Sequence, residues 1–325
     1  MSSPMLPEPT ILPLETTPSA SPLPDPRHAL MTEFLQARSL QPNSQRAYRR
    51  DLQRFMDWTD QPWATVSRRQ MAQFKHYLVQ DQQLAPSSVN RILQTLKTFY
   101  KWMVVSEYLA HNPTTGIQPE PLPPAQSQEL EDAEVAQIYA AIAGVSADPV
   151  RDRALFSLLL HGLRAEEVVQ LNLGDYDGQQ VIIRQAKHQS IGEVPLLRSA
   201  QQDVDAYIAQ RQAQTARSGI PLTGESPLLI SNSNRSQGKR LTYWGIQDVM
   251  QKLAKHTGID LHAHRGRHTF CTNLIVKLEL DPTLAMELSR HRDLRSFKRY
   301  TNRKQHLAAK RAFLNAANRL EPHQD

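Results

Sequence analysis

The chain has 325 residues and a formal net charge of +6, long enough for two domains with cores of their own, since domains usually hold about 100–200 residues. Its single cysteine, Cys271, excludes an internal disulfide and suits a reducing compartment. No apolar run approaches the roughly 18 residues of a membrane span and the N-terminus lacks the apolar centre of a signal peptide, so a soluble cytoplasmic protein without a membrane partner is expected. The charge is concentrated: residues 27–118 hold 12 Lys plus Arg against 6 Asp plus Glu, and residues 261–325 hold 13 against 6. Two basic regions suit a polyanion, and equally a solvated surface.

Residues 1–26 contain eight prolines, three acidic residues and no Lys or Arg, a composition that builds neither helix nor core. A disordered leader over 1–27 is expected. From His28 the apolar spacing becomes helical, with stripes through Leu30, Phe34 and Leu35 and through Tyr48, Leu52, Phe55 and Met56. A long helix opens at Ser87 or Ser88 as N-cap, carries Val89, Ile92, Leu93, Leu96, Phe99 and Met103 on one face, and stops at His111-Asn112-Pro113. Residues 28–112 therefore form an all-helical domain. Arg46, Arg49 and Arg50 on one helix, with Arg91 and Lys97 on another, either follow a phosphate backbone or keep the surface soluble. The proline-rich stretch 113–128 has no apolar periodicity and reads as an inter-domain linker.

The second domain spans 129–325. Helices are expected through Ala133–Ile142, over Pro149–Leu160, over the segment AEEVVQL after Arg164, and from Thr242 to His256. Strands are expected over Val181–Gln185 and Glu193–Leu197, joined by a loop carrying Lys187, with a third strand over Leu228–Ser231. The fold class is mainly α: an all-helical first domain and a mixed α+β second domain with a small antiparallel sheet.

The second domain is organised around HAHRGRHTFCTNLIVKLELDPTLAMELSRHRDLRSFKRY, whose skeleton is His264-x-x-Arg267-His268, then His291, then Tyr300 nine residues later. On a helix, residues three apart share a face, so His264 and Arg267 can aim at one point. A guanidinium offers a planar fork matched to phosphate oxygens, histidine a donor that also trades protons, and tyrosine an oxygen nucleophile. That inventory can attack a phosphodiester.

Four stretches together resemble the tyrosine recombinase (integrase) family: LLLHGLRAEEVVQLNLGD with its arginine Arg164, QAKHQSIGEVPL with its lysine Lys187, HAHRGRHTF, and LSRHRDLRSFKRYT. The helical first domain resembles the family's core-binding, SAM-like domain, and the second its DNA breaking-rejoining domain. The resemblance implies that Tyr300 attacks a scissile phosphate and forms a 3′-phosphotyrosyl link. It implies that Arg164 and Arg267 hold the developing charge, that Lys187 protonates the leaving oxygen, and that His264 and His291 assist. No cofactor is implied. The implied partner is double-stranded DNA with specific recombination sites, held between the two domains and bound by a homotetramer or a heterotetramer with a sister recombinase. The tail after Tyr300, with Leu307, Phe313 and Leu314 among basic residues, docks on its own domain or on a neighbouring protomer.

Blander readings stand beside these. Arg164 next to Glu166 and Glu167 suits a local ion pair, Lys187 a solvated turn, Tyr300 packing below Phe297, and His262, His264 and His268 a metal set. Arg290 occupies the position where the family usually has glycine. If that residue must adopt φ > 0 it is strained there, or it reaches DNA. A type IB topoisomerase and a DNA-binding protein without catalysis are the competing functions.

Overall fold

The computed structural model describes residues 25–123, 129–184, 191–219 and 221–291. Beyond these it describes 293, 294, 297, 298, 300–302, 305, 308–310 and 312–314. The chain divides into two compact units, Met1–Ala125 and Gln126–Asp325. The architecture is mainly helical, with a single small sheet among the described residues.

The first unit contains α1 (Pro26–Gln36), α2 (Pro42–Trp58), α3 (Arg68–Gln80) and α4 (Pro86–Val105). Three of the four start with proline in the first turn, where the absent N–H costs no hydrogen bond. Two sequence expectations are corrected by this. Residues 26 and 27, expected in the leader, are helical: Pro26 opens α1 and the Asp25 side chain accepts from the Arg27 N–H as its cap. α4 begins at Pro86, with Ala85 as N-cap, and not behind a serine cap. The remaining helix, α3, carries a reciprocal capping box between Ser67 and Gln70.

The apolar stripes converge on an aromatic core. Phe34 meets Phe99 edge-on at 5.2 Å and Phe55 meets Phe74 at 4.9 Å, arrangements that add to the burial of the rings. Trp63 is buried among them, and its indole N–H donates to Arg27 O at 3.0 Å. Residues 113–120, read from the sequence as linker, are fastened to this unit. Asn90 Nδ2 donates to Glu120 O at 2.9 Å, and Lys75 pairs with the Glu120 carboxylate at 2.6 Å.

The second unit holds α5 (Asp132–Val145), α6 (Pro149–Leu160), α7 (Ala165–Gln170), β1 (Gln180–Ile183), β2 (Gly192–Pro195), α8 (Arg198–Ser218), α9 (Tyr243–Thr257), α10 (Ala263–Thr272) and α11 (Pro282–Ser289). β1 and β2 pair antiparallel, with Val181 opposite Val194 and Ile183 opposite Gly192. The third strand expected over Leu228–Ser231 does not form among the described residues. Pro227 and Ile230 make isolated bridges to Asn172 and Arg240 instead. Apolar residues there fill the core without a continuous ladder beside them.

α6 is the central helix, packed against α5, α7, α8 and α10. Its contact with α10 depends on Gly266, where a β-carbon would sit 2.7 Å from Leu159 O; glycine lets the two backbones approach. Buried His161 at the end of α6 lies 2.7 Å from Ser157 O through Nδ1 and accepts the Leu197 N–H through Nε2 at 3.1 Å. It ties the exit of β2 to α6, and burial holds its pKa below the usual value.

Candidate active site

The groups expected to act on a phosphodiester come from α7, α10, the end of α11 and the helical residues around Tyr300. Arg164 is the N-cap residue of α7, reached after the turn at Gly162 (φ +81°). Its guanidinium pairs with Glu167 Oε1 at 2.5 Å, one turn along α7. The local ion pair weighed from the sequence therefore forms, yet it does not isolate the arginine. The charge of Arg164 is felt by Arg267 and by Arg290.

Arg267 is among the most deeply buried large side chains, at 1% exposure. Its two terminal nitrogens donate to Gly162 O and Ser289 O, spanning the α6–α7 turn and the end of α11. Burial, reinforced by the Arg164 charge, pushes its pKa down to about 10. The group is still cationic at neutral pH, and an anion brought beside it would relieve that cost.

α11 ends in a left-handed turn. Arg290 takes φ 55° and ψ 41°, and the His291 N–H returns to Met286 O at 2.9 Å, the wide bond of a Schellman cap. α8 and α9 end in the same conformation on Gly219 and Gly258. The turn sets His291 beside Arg267, with His291 Nδ1 3.4 Å from Arg267 Nη2 and 2.7 Å from Ser289 Oγ. The suggestion that Arg290 reaches outward to DNA is corrected: its side chain is buried and pairs with Glu167 Oε2 at 2.6 Å.

Tyr300 lies on the same cluster. Its ring centroid is 6.2 Å from that of His291 and 5.2 Å from that of Phe297, and its hydroxyl is 2.6 Å from His268 Nδ1. The packing expected against Phe297 is present, with the residue only 5% exposed, and it coexists with the placement beside His291. His264 is exposed and meets the His268 ring edge-on at 4.6 Å. Arg267, His291, Tyr300, His268 and His264 thus form one run of neighbouring groups within one chain. Lys187 lies outside the described residues. Cys271 is buried in the adjoining apolar cluster, where burial raises its thiol pKa. Among the described residues no three His, Cys, Asp or Glu side chains gather as a metal-binding group.

The cationic residues of the first unit divide. Arg46, Arg49 and Arg50 are exposed on α2 and Lys97 is half-buried on α4. Arg91 pairs with the buried carboxylate of Asp51, which also accepts from Thr95 Oγ1 at 2.9 Å. Sequence reading missed Glu167 and Ser289 as members of the site. Glu167, three residues after Arg164, had a helical signal, but the approach of Arg290 to it depends on tertiary packing.

An all-helical unit followed by a helical domain with one small hairpin, which sets two guanidiniums, three histidines and a phenol side by side, defines the tyrosine recombinase class. Residues 128–306 match the phage integrase family and residues 29–109 match the phage integrase N-terminal SAM-like domain. The chain belongs to the phage integrase family, whose enzymes are tyrosine-type site-specific DNA recombinases. It is 27% identical over 293 residues to a tyrosine recombinase XerC of Roseiflexus sp. (strain RS-1), covering 86% of this chain and 89% of that one. It is 26% identical over 290 residues to a tyrosine recombinase XerD of Vibrio cholerae, covering 85% and 92%. The fold is similar to that of the Tn1549 transposon integrase in complex with a circular intermediate DNA, with a TM-score of 0.70 at 17% identity over 88% of this chain and 99% of that one. It is also similar to that of a lambda integrase tetramer bound to a Holliday junction, with a TM-score of 0.65 at 12% identity over 84% and 76%. Among the described residues no helix is long and apolar enough to cross a membrane.

Proposed function

We propose that this recombinase cleaves and rejoins DNA at specific sites through a 3′-phosphotyrosyl intermediate, with Tyr300 as nucleophile. The phenol oxygen attacks the scissile phosphorus, the bond from phosphorus to the 5′ oxygen breaks, and the leaving oxygen takes a proton from Lys187. Arg164 and Arg267 bind the non-bridging oxygens, on which negative charge grows in the transition state. His291 and His264 donate to the same oxygens or relay the phenol proton. The covalent link conserves the energy of the phosphodiester, so a 5′ hydroxyl from a second strand reverses the step and exchanges the strands.

The observation that carries this reading is the continuity of Arg267, His291 and Tyr300 in one chain, with 3.4 Å between Arg267 Nη2 and His291 Nδ1 and the His291 and Tyr300 rings side by side. Arg46, Arg49 and Arg50 on α2 supply contacts to the DNA backbone. Exchange between two duplexes requires two cleavages on each, and a tetramer on paired sites supplies them. XerC- and XerD-named relatives and the transposon and phage integrases leave dimer resolution and integration as alternative uses of the same chemistry.

The test uses a site selected by the protein from random-sequence duplex DNA, placed twice on one supercoiled plasmid. A recombinase gives products with exchanged flanks. A protein that only relaxes the plasmid, with flanks unexchanged, acts as a topoisomerase and overturns the reading.

A further inference from the structure

The Schellman turn that places His291 puts a non-glycine residue at positive φ, as also happens at Gln83, Glu107 and Glu279, but here the side chain is buried. Glycine adopts φ near 55° without strain, as Gly219 and Gly258 do at the equivalent caps of α8 and α9, whereas Arg290 carries a side chain into it. The guanidinium is then taken out of water. Arg290 is 8% exposed, and its Nε and Nη1 are buried with no hydrogen-bond partner among the described residues. A strained backbone and two unmet buried donors are costs that glycine at this position would avoid.

What the side chain does touch is the carboxylate that holds Arg164. Glu167 is buried; its Oε1 receives Arg164 Nη1 and its Oε2 receives Arg290 Nη2, so one carboxylate is shared by two guanidiniums. The Arg290 stem also lies on β2, where a β-carbon at Gly192 would be 3.4 Å from Arg290 Cδ. Arg290 thereby connects the end of α11, the start of α7 and the start of β2. With one cation on Glu167, the carboxylate would take up most of the charge of Arg164. With two, the cluster keeps a net positive charge to offer an arriving anion.

The geometry points to Arg290 as a positioning residue of the phosphate site: through Glu167 it fixes Arg164 and leaves that guanidinium available to the scissile phosphate. This rests on the reading of Arg164 as a phosphate ligand. Arg290 touches neither substrate nor the reacting atoms, and its effect passes through a carboxylate 123 residues away in sequence.

Single-turnover covalent cleavage of a nicked duplex carrying the selected site tests it, measured beside the half-saturation for the same duplex and a thermal melt. Arg290→Gly is expected to melt no lower than the wild type, to bind the duplex within about threefold, and to cleave about tenfold or more slowly. Arg290→Lys, which keeps a cation against Glu167, restores most of the rate. Glu167→Gln with Arg290→Gly is no slower than Glu167→Gln alone, since the group through which Arg290 acts is already neutral. An Arg290→Gly protein that cleaves at the wild-type rate overturns the proposal, as does a loss of the same size in both Glu167 backgrounds. If the wild type itself forms no covalent product on this duplex, the phosphate-site reading beneath the proposal fails first.

Discussion

The Tyr300 hydroxyl and His268 Nδ1 lie 2.6 Å apart inside the second unit, although 32 residues separate them in sequence. The bond orients the nucleophile and leaves an oxygen lone pair free to attack phosphorus. His268→Ala removes the bond and leaves a cavity beside a buried ring. Stability is expected to fall by about 1–3 kcal/mol in urea denaturation, and single-turnover cleavage by about tenfold. Unchanged stability would show that the bond does not form in solution.

Arg267 holds two carbonyls from different elements with one planar fork. Lysine keeps the charge but cannot span both acceptors. Arg267→Lys should therefore lower cleavage by about a hundredfold or more, at a cost of about 2.7–4 kcal/mol in barrier, with DNA affinity much less affected. A rate within about threefold of wild type would remove Arg267 from the phosphate site.

The cations of the first unit should separate by assay. Arg91 neutralises Asp51, whose carboxylate is buried, while its own side chain is 44% exposed. Arg91→Ala should thus cost the first unit about 1–2 kcal/mol of stability. Replacing Arg46, Arg49 and Arg50 by alanine should leave stability within about 0.5 kcal/mol. It should also reduce the slope of log affinity against log salt by about 0.9 for each phosphate that is no longer neutralised. The reverse pattern, measured by titration at several salt concentrations, would assign DNA binding to Arg91.

His161 gives a pH-dependent term of known sign. Its folded-state pKa lies below the ordinary 6.5 because burial disfavours the cation. The stability it contributes is complete above about pH 6.5, where the ring is neutral in both folded and unfolded chains, and is lost as pH falls through the folded value. The melting temperature of wild type minus that of His161→Gln should therefore shrink between pH 7.5 and 5. A difference that grows on acidification would contradict the buried neutral ring.

The parts of this architecture that sequence makes legible are those written in local spacing. The Pro149–Leu160 helix is a mostly apolar run between a proline start and a glycine turn, and it forms over those residues. Arg164 and Glu167 are one helical turn apart, so their pairing is local as well. Leu228–Ser231 misleads because an apolar run in the core looks the same whether or not a strand lies beside it. Ser87 and Ser88 mislead because Pro86, already fit for the first turn, moves the helix start ahead of them. Arg290 meets Glu167 from 123 residues away, and His268 meets Tyr300 from 32 residues away, so neither pairing is set by helical spacing.

The account depends most on Tyr300 being the atom source for the covalent bond to DNA. Wild type and Tyr300→Phe should be incubated with a nicked duplex that carries the selected site and a labelled strand, then denatured and resolved by size. Wild type should give a labelled protein–DNA adduct whose DNA-bearing peptide contains Tyr300, while Tyr300→Phe binds the duplex and gives none. An adduct that persists in Tyr300→Phe, or that maps to another residue, would contradict the account.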